Sequence, residues 1–139
     1  MSRTAVVYWS QTGNTEAMAD AVINGMTAGG AEVSRFTAAE FSADKVSEFD
    51  AIAFGCPAMG SEVLEESEFE PMFASVEGSL SGKKVGLFGS YGWGDGQWMR
   101  DWEDRCAADG AVVAGTVIAN NAPDADAISA CEALGKSLA

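Results

Sequence analysis

Apolar residues along the chain gather in short runs, and each run leads into a stretch of a different rhythm. Strand-like runs fall at residues 4–9, 32–37, 51–55, 84–90 and 112–119. After the first, Met18, Ala21, Val22 and Met26 share one face at helical spacing over residues 15–28, and Gly29-Gly30 stops the pattern. Residues 38–48 read as a short, weak helix or loop. Residues 66–76 read as an irregular or broken helix because of Pro71. Residues 97–108 align Met99, Trp102 and Cys106, and from residue 124 onward Ile128, Cys131, Leu134 and Leu138 form a last stripe.

Buried strands alternating with helices predict an α/β fold whose parallel sheet is covered on both faces. Five strands in this rhythm fit a three-layer, doubly wound, five-stranded parallel sheet of order 2-1-3-4-5. The 139 residues form one domain by length, with no linker or internal repeat. In such sheets ligands bind beyond the carboxyl ends of the strands. Three loops are therefore the ones to read: residues 10–15, 56–62 and 90–96.

The first loop is Ser10-Gln11-Thr12-Gly13-Asn14-Thr15. A strand running into small hydroxyl, amide and glycine residues that open a helix suits an anion, because free N–H groups and the helix dipole converge there. The loop has no Lys or Arg, so a phosphate held there keeps its charge. It is neither a Walker P-loop nor a GxGxxG fingerprint. The same residues also serve as plain helix caps. The second loop offers Met59, polarizable and unbranched, and Gly60, free to take a positive φ. In the third, Ser90-Tyr91-Gly92-Trp93-Gly94, an indole stands between glycines that cannot shield it. Trp93 is either a plug folded into the core or a platform for a flat ligand; a stacked aromatic pair adds about 0.5–1.5 kcal/mol beyond its buried area.

Composition narrows the field. The net charge of −13 disfavours nucleic acid and anionic membrane surfaces, which call for basic patches. The three cysteines are widely spaced and there is no histidine, so zinc and cysteine-ligated clusters are not expected. Unpaired thiols fit a reducing, cytoplasmic setting. The opening apolar run is too short for a secretory or membrane segment.

The motifs SQTGNT, GCPAMGSEVLEESEFEP and GSYGWGDGQWMRDW, in this order and spacing, resemble the short-chain flavodoxins of anaerobic bacteria over essentially the whole chain. The resemblance implies a single flavodoxin-like domain over residues 1–139 that binds FMN non-covalently. It places the phosphate on Ser10, Gln11, Thr12, Gly13, Asn14 and Thr15, with Pro57, Ala58 and Ser90 along the ribityl chain. Trp93 and Met59 cover the two faces of the ring. Glu62 accepts from flavin N3, while Tyr91, Gly92 and Gly94 belong to the loop whose amides meet the pyrimidine oxygens. Trp9 and Asn121 are peripheral contacts. Pro57 stands where relatives often carry serine, and Ala122 where an acidic residue is common.

The implied function is a low-potential one-electron carrier cycling between semiquinone and hydroquinone, with no catalytic residues and no metal. The peptide after Met59 is implied to flip on reduction, which a Cβ at Gly60 would resist. The crowded Glu62, Glu65, Glu66, Glu68 and Glu70 read mostly as a solvated acidic face that also disfavours adding charge to the flavin. Expected partners are a reductase and an acceptor protein docking transiently on an acidic, monomeric chain. The alternative is an FMN-dependent NAD(P)H or quinone oxidoreductase, which needs a substrate pocket that so compact a chain does not display. A receiver-type signalling domain fits poorly, because the first and third strands end in Trp9-Ser10 and Gly55-Cys56 rather than in acids.

Overall fold

A computed structural model describes residues 2–11, 13–60 and 62–139. These residues form a parallel sheet from β1 (Arg3–Tyr8), β2 (Glu32–Thr37), β3 (Ala51–Gly55), β4 (Lys84–Tyr91) and β5 (Val112–Asn120). The strand order is β2-β1-β3-β4-β5, as the sequence rhythm requires, and each neighbouring pair runs parallel. The helices are α1 (Asn14–Ala28), α2 (Phe69–Val76), α3 (Gln97–Ala108) and α4 (Ala125–Leu138).

Strand side chains alternate between the two faces, and that alternation divides the core in two. Val6, Ala53 and Phe88 point toward Met18, Val22 and Met26 of α1 and toward Cys131, Leu134 and Leu138 of α4. Val7, Ile52, Phe54, Val85 and Leu87 point the other way, into a cluster with Phe69, Phe73, Trp98 and Trp102. Helices α1 and α4 cross with almost no side chain between them. A Cβ on Gly25 would strike the Glu132 carbonyl, and one on Gly135 would strike that of Val22.

Three sequence expectations change. Residues 38–48 form two short 3₁₀ turns, Ala38–Glu40 and Ala43–Glu48, rather than a weak α-helix. Here polar side chains compete with the helical backbone: Glu40 closes a capping box with Thr37, and the Ser42 hydroxyl donates to Asp44. Pro71 does not break its helix, because it lies in the first turn of α2, where an N–H has no intrahelical acceptor. The edge strands β2 and β5 are only partly covered, and Val112 is 56% exposed. An edge strand has a neighbour on one side only, so the helices cover it less completely.

Candidate functional site

The loops after β1, β3 and β4 meet at the carboxyl edge of the sheet. In the first, the Ser10 hydroxyl accepts from the backbone N–H groups of Gly13 (3.2 Å) and Glu16 (3.3 Å), curling the loop over the start of α1. Gly13 is the N-cap of α1 and brings no side chain to that end. Thr15 is buried, and its hydroxyl accepts from Ser90 N at 3.4 Å, joining the first loop to the third. The second loop is joined to the third by Ala58 N donating to the Ser90 carbonyl at 3.0 Å. Thr12 lies outside the described residues.

A crevice of about 200 Å³ opens between these loops. Ser10, Gln11, Asn14 and Thr15 line one end, and Pro57, Ala58 and Met59 line a wall. Ser90, Tyr91, Gly92 and Asn121 complete it. Every one of these side chains is neutral. The donors at the α1 end, namely hydroxyls, amides and the first turn of a helix, are chemically suited to a phosphate bound without a basic residue.

The second loop turns back on itself. Met59 N donates to the Val63 carbonyl at 2.9 Å and Val63 N to the Met59 carbonyl at 3.0 Å, a small antiparallel hairpin. Gly60 has φ +49°, the left-handed region that glycine enters at little cost. Glu62 has φ +57°, and its Oε1 accepts from Gly96 N (3.2 Å) and Gln97 N (3.0 Å), so the carboxylate caps α3. A Cβ on Gly94 would lie 2.6 Å from the Glu62 carboxyl carbon, so glycine is needed for that approach. Trp93, next in the chain to Gly92 of the crevice lining, is 67% exposed. This excludes the plug in the core and leaves a bare planar side chain on the third loop.

Not all the expected residues converge. Trp9 faces a separate cleft that Gly13 also lines, and its Nε1 donates to Glu68 at 3.2 Å. Gly60, Glu62, Trp93 and Gly94 sit around the crevice rather than in its lining. The acidic run is not one solvated face. Glu65 is 5% exposed, and Glu70 is paired bidentately with Arg105 at 2.7 and 2.8 Å. Sequence reading missed the Glu70 pair because Arg105 lies on α3 and only the fold brings it to α2, and missed Glu65 because a capping carboxylate within an acidic run looks like its exposed neighbours.

The family model described as "Flavodoxin" matches residues 6–135. The chain belongs to the flavodoxin family. It is 48% identical over 135 residues to the flavodoxin of Clostridium beijerinckii, covering 96% of this chain and 97% of that one. It is 49% identical over 134 residues to the flavodoxin of Megasphaera elsdenii, covering 96% of each. The solution structure of two-electron-reduced Megasphaera elsdenii flavodoxin superposes with a TM-score of 0.90 at 48% identity over 97% of both chains.

In this flavodoxin chain a separate charged cluster joins α2 to α3. Hydrogen bonds from Arg105 hold the Glu77 carboxyl below the usual carboxylate range against the opposing effect of burial. Burial, and then the nearby Glu77, push Asp109 up. Arg105 itself lies over the Phe73 ring, 4.9 Å from its centroid. Burial raises the Cys56 thiol far above its ordinary range and pushes Cys106 and Cys131 up to about 12, so all three are inert, protonated core residues.

Proposed function

We propose that the chain binds FMN non-covalently in the crevice between the three loops and carries single electrons between partner redox proteins at low potential. The observation that carries this reading is the crevice itself: neutral phosphate donors at the start of α1, Met59 on one wall and the exposed Trp93 on the third loop. The flavin, when bound, supplies the redox chemistry. The residues of the chain bind and orient it. Ser10, Gln11, Asn14 and Thr15 grip the phosphate, with Gly13 and Thr12 completing the loop. Met59 and Trp93 cover the ring, and Glu62, Gly92 and Gly94 meet its polar edge, with Trp9 outside that first ring of contacts.

Because no cation neutralises the phosphate, and because Met59 and Trp93 are apolar, further negative charge on the ring is disfavoured. Exposed Glu66, Glu68 and Asp95 near the loops support docking by basic patches on a reductase and an acceptor. The buried free thiols support work in a reducing cytoplasm, and the charge of −13 supports a monomer. The test is the visible spectrum of the purified chain supplied with FMN, followed by stepwise dithionite reduction. The expected result is bound flavin with quenched tryptophan emission and two resolved one-electron steps. Failure to take up FMN overturns the reading.

A further inference from the structure

The Met59–Val63 hairpin carries the ring-facing residues, yet Gly60 in it is open. Among the described residues, and apart from its chain neighbours, no atom lies within 4 Å of where a Cβ on Gly60 would stand. The hairpin is held at its base instead. There, Glu65 is a nearly buried carboxylate with four donors. Its Oε1 accepts from Glu68 N and Phe69 N, both at 2.8 Å. Its Oε2 accepts from Ser67 N at 2.7 Å and from the Ser67 hydroxyl. These bonds cap α2, whose formal N-cap, Glu68, makes no side-chain cap.

The backbone of Glu65 links α2 to the third strand's end. Its N–H donates to Cys56 Sγ at 3.3 Å, and its carbonyl accepts from Glu70 N at 2.8 Å. Cys56 in turn is fixed to the sheet through its N–H to the Phe88 carbonyl (3.1 Å) and its own carbonyl to Trp98 Nε1 (3.2 Å). The loop from Cys56 to Glu65 is thus closed at both ends by one residue pair. An acceptor-only group is required at Glu65, since an amide would turn an NH₂ toward donors.

We propose that Glu65 is a positioning residue for the flavin site: its buried carboxylate clasps the base of the Met59–Val63 hairpin to α2 while its backbone N–H holds Cys56, and so it sets the rigidity of the loop that meets the ring. The inference rests on the FMN reading above and adds to it a residue that does not touch the cofactor. Glu66 provides the control. It is the exposed neighbour, and its loss removes the same unit charge while leaving the clasp untouched.

The experiment compares wild type, Glu65→Gln and Glu66→Gln as full chains purified with FMN. Two quantities are read: the FMN dissociation constant, from flavin fluorescence, and the amide exchange rates of Met59 and Val63. Glu65→Gln is expected to weaken FMN binding about tenfold or more and to accelerate both amides by a similar factor, equivalent to about 1.4 kcal/mol. Glu66→Gln is expected to change each by less than about twofold, as suits a surface substitution. A folded Glu65→Gln chain with wild-type exchange at Met59 and Val63 overturns the proposal, as does equal acceleration in Glu66→Gln. If Glu65→Gln does not fold, Ser67→Ala takes its place, removing one donor at constant charge. Faster exchange at both amides then supports the clasp, and unchanged exchange overturns it. A wild-type chain that takes up no FMN defeats the functional reading alone, because the exchange comparison stands without it.

Discussion

Gly60 is the residue at which the proposed redox role can be tested through backbone conformation. Its φ of +49° costs a residue with a Cβ about 1–2 kcal/mol, although open space surrounds the position. Gly60→Ala is therefore expected to act through backbone strain and not through a clash. If the positive φ is required in the reduced chain and relaxed in the oxidised one, the first one-electron midpoint should fall by roughly 40–80 mV, since about 1.4 kcal/mol corresponds to 59 mV for one electron. Spectroelectrochemical titration measures this, and an unchanged midpoint refutes it. The positive φ at Gly60 was legible in the sequence because a glycine in a loop enters that region at little cost. The equivalent strain at Glu62 was not, because its φ of +57° is held by bonds to Gly96 and Gln97, more than thirty positions away in the chain.

At the level of elements, the seam between α2 and α3 shows what periodicity leaves out. The spacing of Met99, Trp102 and Cys106 identified the buried face of α3, but not the partners of its Arg105. Glu70 and Glu77 bind that guanidinium, and Asp109 stands near Glu77 with its buried Oδ2 unpaired. The two shifted acids have opposite consequences. Glu77, held low, contributes stability above its unfolded value of about 4.3, and that contribution is lost as pH falls through its folded pKa. Asp109, held high, costs stability once pH rises above its unfolded value of about 3.9. Asp109→Asn is accordingly expected to raise the urea midpoint at pH 7, where the amide carries no charge to desolvate or to set against Glu77. The gain should shrink toward nothing near about pH 3.5, below the unfolded pKa. A gain of equal size at both pH values would contradict this. Strand positions were read more fully. The buried central strands announce themselves as apolar runs, whereas the half-exposure of β2 and β5 depends on their being edges, which emerges only when strand order is known.

For the whole molecule, the charge of −13 bears on the proposed flavin potentials and on the proposed encounters with partners alike. A unit charge about 10 Å from the ring contributes roughly 1.7 kcal/mol at an effective dielectric of 20. Raising ionic strength from about 0.1 to 1 M shortens the screening length from about 10 to 3 Å. The second one-electron midpoint should then rise by roughly 20–60 mV, following the same conversion between energy and potential. A midpoint that does not move with salt would point to the apolar walls and the phosphate as its main determinants. The sequence disclosed the overall charge but not its distribution, since folding ties Glu62, Glu65 and Glu70 to backbone or arginine and leaves Glu66 exposed. The three cysteines have a consequence of their own. Cys56 and Cys106 lie on one side of the sheet and Cys131 on the other, all fully buried. A thiol-specific dye can reach them only while the corresponding layer is open, so its labelling rate serves as a clock for each half of the core, and adding FMN should slow the Cys56 clock in particular.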